Sequence, residues 1–373
     1  MRAIKDWLIG LATRWLNWIF RKRNIGFGIS VACCAVLKTI ASGNITVQAS
    51  GVAGVVDLFT LTTGGGLTDH LQTVVVYLMG LGFLVGLGMC IHAYVQEYKQ
   101  AKLNRVVVAE LRGLVDTSDH PLMKFVPKHL SGSPQDAVVD VRKCLIGDHP
   151  NVQEALAELS HLQREIRRAR GDSARSHVQV VVGGIMPVPL LFYAGVLLDD
   201  EGHVVLMDWE RASKRWMQLL EPDDGSRFLA TEMQALVTHR EVVLAVSASY
   251  LVDEAGIDKS FPGLPVIHLR LLNPSVNSLW SEETQAHLTQ QFLQMLGALT
   301  NQGVTLVNLV LAAPASLSIR FGMAYDVRNM PALRCYQWNR DQQPPYQWSV
   351  EMPSSALGAA VYRLTPSPSL ITG

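Results

Sequence analysis

The hydrophobic positions of this chain form long unbroken runs near the N-terminus and shorter runs farther on. Residues 71–91 (LQTVVVYLMGLGFLVGLGMCI) contain no charged side chain. A helix of about 20 residues rises about 30 Å, which matches the hydrocarbon core of a bilayer. Residues 25–41 form a shorter apolar run with Lys38 near its end, where a lysine can extend to the headgroups. The pattern therefore predicts two transmembrane helices, with a buried helix of a soluble protein as the alternative.

Positive side chains flank this pair of runs on both sides. They are Arg14, Arg21, Lys22 and Arg23 before the first run, and Lys99, Lys102 and Arg105 after the second. Residues 44–70, between the runs, contain no Lys or Arg. Because loops rich in Lys and Arg stay in the cytoplasm, we expect both chain termini to be cytoplasmic and a short loop to lie on the outer side.

The N-terminal part carries two further patterns. Residues 5–20 place large apolar side chains at helical spacing, namely Trp7, Leu8, Leu11, Trp15 and Ile19. We expect an interfacial amphipathic helix within residues 1–24, followed by a transmembrane hairpin at 25–95. In the second run Gly82 and Gly86 form a GxxxG pattern, which permits close helix approach. These glycines are expected to pack transmembrane helices, either within the hairpin or between copies of the chain.

The pattern changes again at about residue 175. Residues 96–174 have the periodicity of helices and are expected to form a helical linker. Farther on, continuous apolar runs of strand length alternate with helical segments, twice over, and no sequence repeat is evident. Such runs are typical of buried parallel strands, so we expect an α/β fold of two Rossmann-like halves. The expected strands are 178–182, 203–209, 241–250, 265–272, 305–314, 332–338 and 346–352, with helices at 281–300 and 315–325.

Composition agrees with membrane association. The 373 residues include 32 basic and 32 acidic side chains, and 49% of residues are hydrophobic against 17% charged. Balanced charge provides no overall field that would recruit nucleic acid. The cysteines show no metal-binding or disulfide spacing, so reduced thiols in a cytoplasmic setting are expected. They are Cys33, Cys34, Cys90, Cys144 and Cys335.

Candidate ligand contacts follow from the expected sheets. In α/β folds ligands bind beyond the carboxyl ends of the strands, and the helix N-termini there offer N–H groups to phosphates. The expected contacts are Gly183, Gly184, Pro187, Ser247, Ser249, Tyr250, Pro314, Ala315, Ser316 and Arg320. Hydroxyl and guanidinium groups suit phosphates, whereas Tyr250 and Trp209 suit stacking on purine bases. An ordinary turn, core packing or a solvated arginine is the alternative explanation at each position.

Signs of catalysis and metal binding are weak. A core or surface role is favoured over a metal role for His268 and His287, and Asp199 and Asp200 belong to a typical turn. No GxSxG, GxGxxG or P-loop motif is present. We therefore expect no metal, no cofactor and no enzyme. The alternatives are a membrane-anchored Rossmann-type enzyme acting on a nucleotide or nucleotide sugar, and a membrane scaffold without a small ligand.

Residues 304–352 resemble the end of a SAVED domain. This stretch contains a strand, the turn AAPAS, a helix with a glycine, and a strand bearing Tyr336. The segments VVVGGIMPVPLLFYAG and EVVLAVSASY are similar to parts of the two halves of that domain. The resemblance covers about residues 175–360. With two expected membrane spans before it, the chain resembles a two-transmembrane SAVED effector of bacterial cyclic-oligonucleotide-based antiphage signalling (CBASS).

The resemblance implies a SAVED domain at 175–373 made of two fused CARF-like subdomains, divided at about residues 238 and 239. It implies a cyclic oligonucleotide ligand, preferably an adenine-containing trinucleotide, made by a partner nucleotidyltransferase. Binding would drive homo-oligomerisation. The hairpin in the bacterial inner membrane would then disrupt the lipid bilayer and arrest the infected cell.

Overall fold

Two long helices make up the described part of the N-terminal unit, which spans Met1–Lys102. The computed structural model describes residues 22–41, 68–146, 150–231, 239–276, 278–354 and 358–365. Helix α1 is Lys22–Ala41 and helix α2 is Thr68–Leu103. Both expected apolar helices are therefore present.

Helix α2 is the stronger candidate for a membrane span. Its residues Thr73–Lys99 are long and apolar enough to cross a bilayer, whereas the apolar part of α1, Asn24–Lys38, is shorter. The amphipathic helix expected at 5–20 lies outside the described residues, and so does most of the loop expected at 44–70.

Small residues bring α1 and α2 close together. A Cβ atom added to Gly86 would lie 2.6 Å from Ser30 Oγ, and one added to Gly82 would lie 2.8 Å from Cys33 Sγ. On α1, Gly26 has the same role, since its added Cβ would lie 2.7 Å from the Gly86 carbonyl oxygen. The Ser30 hydroxyl donates to the Gly26 carbonyl oxygen at 3.0 Å. The GxxxG glycines thus face the partner helix of the hairpin.

The second unit, Leu103–Gly373, contains all the strands that the structure describes. Its first half contains β1 Arg105–Arg112, β2 Ser133–Asp140, α3 Arg142–Leu145, α4 Val152–Ser160, α5 Leu162–Arg170, β3 Val178–Ile185, α6 Val188–Leu197, β4 Val204–Glu210 and β5 Arg215–Gln218. Its second half contains β6 Leu229–Ala230, β7 Glu241–Ser247, α7 Glu254–Ser260, β8 Val266–Arg270, α8 Glu282–Asn301, β9 Leu306–Ala312, α9 Ala315–Ala324, β10 Ala332–Gln337, β11 Trp348–Glu351 and β12 Val361–Leu364. The strands and helices expected after residue 175 are confirmed.

The two halves share one strand order. The first sheet runs β2-β1-β3-β4-β5, and the second contains β8-β7-β9-β10-β11, extended by β6 and β12 at its two ends. In each set of five, four strands are parallel and the last, β5 or β11, pairs antiparallel with its neighbour. Central strands are buried on both faces, which explains their continuous apolar sequences. The expected α/β fold of two Rossmann-like halves is confirmed.

The prediction of a helical linker at 96–174 is wrong, because β1 and β2 lie within it and belong to the first sheet. Strand β1 follows α2 after a single residue, Asn104, and its sequence RVVVAELR ends in helix-favouring residues. Strand β2 lies at the edge of the sheet and buries only Ala137 and Val139, so it lacks a continuous apolar run. The first half therefore begins at β1 rather than near residue 175.

Helices α6 and α9 join the halves through two glycines at equivalent positions. Gly195 and Gly322 are each the eighth residue of their helix. A Cβ atom on Gly195 would collide with the Ile319 carbonyl oxygen, and one on Gly322 would collide with the Phe192 carbonyl oxygen. Because each helix contacts the other through the same position, the crossing has the form of a two-fold interface.

Candidate ligand-binding site

A cavity of about 670 Å³ lies where the carboxyl ends of both parallel sheets meet. Its volume is within the range of pockets that enclose small-molecule ligands, about 300–1,000 Å³. The wall includes residues that follow six different strands, together with the loop before α8. Among them are Leu114, Gly184, Pro187, Asp208, Trp209, Arg211, Ser249, Tyr250, Asp253, Trp280, Pro314, Ala315, Gln337, Trp338 and Arg340.

The structure brings together most of the residues expected from the sequence. Six of the ten line the cavity, namely Gly184, Pro187, Ser249, Tyr250, Pro314 and Ala315. Both prolines are the N-cap residues of helices, α6 and α9, that begin at the cavity. Gly184 contributes its backbone, because an added Cβ would lie 2.8 Å from Leu191 Cδ2, within the core.

The other four expected residues lie outside the cavity wall and have structural roles. A Cβ on Gly183 would meet the Trp216 ring at 2.7 Å. The Ser247 hydroxyl accepts a hydrogen bond from the Val252 N–H at 3.1 Å. Ser316 is fully buried, and Arg320 pairs with Glu282 at 3.4 Å. These positions shape the wall or support it from behind.

Ser249 and Tyr250 line the cavity, and both carry a hydroxyl group. The Ser249 side chain is 4% exposed, and its Oγ has no hydrogen-bond partner among the described residues. A buried hydroxyl without a partner costs free energy, so this atom is suited to a ligand or a water molecule. Tyr250 is 47% exposed and its hydroxyl accepts from Arg211 Nη1 at 3.3 Å. The two neighbours thus offer a donor and an aromatic face at one point of the wall.

Asp208, at the end of β4 in the first half, caps helix α9 of the second half. Its Oδ2 accepts from the Ser316 hydroxyl at 2.7 Å and from the Ser316 N–H at 3.2 Å, and its Oδ1 accepts from the Trp209 N–H at 2.9 Å. Burial raises the pKa of Asp208, and the three hydrogen bonds oppose that rise. The N-terminus of α9 is thus already bound to an internal carboxylate, which occupies the place expected for a phosphate.

Gln337, at the end of β10 in the second half, has the matching role toward the first half. Its Oε1 accepts from the N–H of Val188, the first residue of α6, at 3.2 Å. Each half therefore supplies a side chain to the N-terminus of the other half's helix. These bonds fix the two strand ends, and with them the cavity wall, relative to the opposite helix.

The loop before α8 forms a further part of the wall and contains a strained residue. Leu279 has a φ of 70°, which is uncommon for a residue with a branched side chain. The buried Gln285 holds this loop by donating from Nε2 to the Leu279 carbonyl oxygen at 2.9 Å, and also to Ser316 Oγ at 2.8 Å. Trp280, the next residue, lines the cavity. A chain of hydrogen bonds thus connects Asp208, Ser316 and Gln285 to the position of Trp280.

Several cavity residues were missed by the sequence reasoning. These are Asp208, Arg211, Trp280, Gln337, Trp338 and Arg340. Trp209, for which stacking and core packing were both considered, lines the cavity and also packs edge-on against Trp216 at 5.2 Å. A usable signal was present, because a Trp-x-Arg triplet ends both the β4 and the β10 segment.

One group of side chains in the described part of the chain has the spacing of a metal site, namely Asp223, Glu283 and His287. Asp223 already accepts two hydrogen bonds from Arg227, at 3.0 and 2.7 Å, and one from Thr284. The Arg227 hydrogen bonds, followed by that of Thr284, lower the pKa of Asp223. The guanidinium of Arg227 thus already supplies the positive charge that a metal ion would supply beside Asp223.

Two family models match the chain. The model for the SMODS-associated and fused to various effectors sensor domain (SAVED) matches residues 162–352, about half of the chain. The model for the SAVED-fused 2TM effector domain matches residues 5–156. No match is found among the curated proteins.

Solved structures of Cap4 SAVED/CARF-domain containing receptors are similar to the chain at low identity. The Acinetobacter baumannii receptor with the cyclic trinucleotide 3'3'3'-cAAA is 11% identical, with 79% of this chain and 61% of that chain covered and a TM-score of 0.46. The Moraxella osloensis receptor is 12% identical, with coverage of 79% and 59% and a TM-score of 0.43. The chain therefore spans about three fifths of the length of these receptors.

Proposed function

Because the chain belongs to the SAVED family of sensor domains and residues 5–156 match a SAVED-fused 2TM effector domain, we propose that it is a ligand-gated membrane effector of CBASS antiphage defence. Its SAVED domain binds a cyclic oligonucleotide second messenger. The observation that carries this proposal is the cavity at the carboxyl ends of both sheets, with a Ser249 hydroxyl that has no hydrogen-bond partner in the described part of the chain.

The chemistry of the cavity supports a nucleotide ligand. Trp209, Tyr250, Trp280 and Trp338 supply aromatic faces on which bases stack, a contact worth about 1–3 kcal/mol per base. Arg211 and Arg340 are exposed at the wall and suit phosphate groups. More than one aromatic and more than one cationic group favours a ligand with several nucleotides. We take an adenine-containing cyclic trinucleotide, supplied by a partner nucleotidyltransferase, as the first ligand to test.

The effector part of the proposal concerns the hairpin. The chain lies in the bacterial inner membrane with both termini in the cytoplasm, as the distribution of Lys and Arg favours. Ligand binding to a preferred oligomer shifts the chain toward that oligomer. The assembled hairpins then disrupt the bilayer, which causes abortive infection. No step of this mechanism requires catalysis.

Equilibrium binding with recovery of the ligand tests the sensor function. The full chain in nanodiscs is titrated with cyclic di-, tri- and tetra-adenylates and with linear tri-adenylate. We expect saturable binding of a cyclic ligand, preference over the linear form, and recovery of unchanged ligand by chromatography. Conversion of the ligand during the incubation would instead favour the membrane-anchored enzyme. Binding of none of the cyclic compounds would contradict the proposal.

A further inference from the structure

The cavity carries one short sequence pattern twice. Asp208-Trp209-Glu210-Arg211 ends the β4 segment, and Gln337-Trp338-Asn339-Arg340 ends the β10 segment. Strands β4 and β10 are equivalent in the shared strand order, since each pairs in parallel with a strand, β3 or β9, that leads into a proline-capped helix. The first, second and fourth residues of both tetrapeptides line the same cavity.

Two contacts show that this equivalence is three-dimensional. Asp208 accepts from the first turn of α9, and Gln337 accepts from the first turn of α6. Gly195 and Gly322 contact each other's helices reciprocally at the same helical position. If the two halves are exchanged, each helix cap and each crossing glycine takes the place of its counterpart in the other half. This is the property of a two-fold axis. The cavity is lined from both sides of that axis.

We propose that the cavity contains two equivalent nucleotide half-sites, each formed by one Trp-x-Arg triplet. In each half-site the indole stacks on a base and the guanidinium pairs with a phosphate. A cyclic trinucleotide occupies both half-sites with two of its nucleotides, and its third nucleotide has a different environment. This inference rests on the proposed function and names the residues of each half that hold one nucleotide of the ligand.

The contacts of the Trp and Arg side chains of both triplets agree with their assignment to ligand half-sites. Among the described residues, neither Arg211 nor Arg340 forms an ion pair with a carboxylate, and Arg211 donates to the Tyr250 hydroxyl at 3.3 Å. Trp338 is 44% exposed, although its Nε1 donates to Asp253 at 3.4 Å. Trp338 and Arg340 are both exposed at the cavity wall, and Arg340 has no hydrogen-bond or ion-pair partner among the described residues. In the first half the Trp209 ring is fixed by Trp216.

The half-sites differ in one respect that bears on specificity. Asp208 is a carboxylate, whereas Gln337 is an amide whose Nε2 donates to the neighbouring Trp338 carbonyl oxygen at 2.9 Å. The two bases thus meet different polar groups beside equivalent stacking surfaces. The site therefore holds two nucleotides by the same contacts while distinguishing the halves of the ligand.

Binding of 3',3',3'-cyclic tri-adenylate by the full chain in nanodiscs tests the half-sites. Arg211→Gln and Arg340→Gln are each expected to weaken binding by about tenfold to a hundredfold, because each removes a charged hydrogen bond. The two losses should multiply in the double variant, since independent half-sites add their free energies. Arg215→Gln, an exposed arginine on β5 outside the wall, is the matched control and should bind like the unaltered chain.

A second pair of variants tests the stacking role. Trp338→Phe retains an aromatic face and should bind nearly as well as the unaltered chain, whereas Trp338→Ala should lose about tenfold or more. Binding by the unaltered chain together with indifference to either arginine would overturn the two half-sites and leave the proposed function standing. Failure of the unaltered chain to bind any cyclic ligand would overturn the proposed function, and the half-sites with it.

Discussion

Asp208 shows how one residue serves the fold and the cavity together. It is a first-half carboxylate that satisfies the N-terminus of a second-half helix, where negative charge is favourable. Burial nevertheless raises its pKa above the ordinary value of 3.8. The residue therefore holds the halves in register while remaining sensitive to pH and to any charge that enters the cavity.

This pKa predicts the sign of a pH effect on stability. Between the ordinary pKa and the raised folded-state pKa, the folded chain retains a proton that the unfolded chain has lost. The contribution of Asp208 is therefore full below about pH 3.8 and declines as the pH rises through the folded-state pKa. Asp208→Asn lacks this decline, so its melting temperature relative to the unaltered chain should increase with pH. A pH-independent difference between the two melting curves would contradict the assignment.

Alanine substitutions at Ser249 and Ser247 should have different effects, the first on ligand affinity and the second on stability. Ser249→Ala removes a hydroxyl that lacks a partner among the described residues, so stability should change little while ligand affinity falls by about tenfold. Ser247→Ala leaves the Val252 N–H without its acceptor and should cost about 1–3 kcal/mol of stability. Thermal melting and titration of both variants check this pair. Equal ligand affinity of Ser249→Ala and the unaltered chain would place the ligand elsewhere.

At the scale of elements, the sequence predicts buried segments better than edges. Strands β3, β7 and β9 are mostly apolar and buried, and Ser281 caps α8 by accepting from the Thr284 N–H at 3.2 Å. Edge strand β2 is mostly exposed and β1 follows α2 directly, so the fold of residues 105–140 was missed. The cavity side chains were partly missed because Arg211 and Arg340 belong to different halves and line one cavity only after the two sheets meet. Small residues at strand ends mark the place of a site, whereas its charges come from the following turns.

Substitutions at the glycines of α2 distinguish an effect on hairpin packing from an effect of added hydrophobicity. Gly82→Leu and Gly86→Leu would drive side chains into α1, whereas a Cβ on Gly80 or Gly88 would meet nothing within 4 Å. We expect the first two substitutions to abolish growth arrest in cells that express the activating cyclase. The matched Gly80→Leu and Gly88→Leu variants should remain toxic at equal membrane abundance, measured by immunoblot of membrane fractions. Loss of toxicity in all four would remove the packing argument.

The crossing of α6 and α9 predicts a large loss of stability from a single methyl group. Gly195→Ala and Gly322→Ala each place a Cβ against backbone atoms of the other helix, and overpacking of this kind costs about 1–3 kcal/mol or more. Gly297→Ala in α8 meets no atom within 4 Å and should stabilise the chain by about 0.5–1 kcal/mol. Thermal melting compares the three. A stable Gly195→Ala variant would show that the halves do not depend on this contact.

In the whole molecule, the sensor domain and the 2TM effector domain are matched in largely different parts of the sequence. The SAVED match at residues 162–352 contains most of the cavity wall, and the 2TM match at 5–156 contains both apolar helices. A ligand that acts on the membrane requires a coupling free energy between these parts. Each function should therefore fail separately: Arg211→Glu should prevent ligand binding and leave the hairpin intact, whereas Gly86→Leu should leave binding unchanged.

Ligand-dependent leakage from proteoliposomes tests whether ligand binding in the cavity makes the hairpin disrupt a bilayer. Vesicles that contain the full chain and a trapped fluorescent dye are treated with 3',3',3'-cyclic tri-adenylate or with linear tri-adenylate. The proposed mechanism predicts dye release with the cyclic compound alone, and no release from vesicles that contain Arg211→Glu or Gly86→Leu chains. Saturating, measured binding of the cyclic compound without any increase in leakage would contradict a membrane effector gated by this cavity.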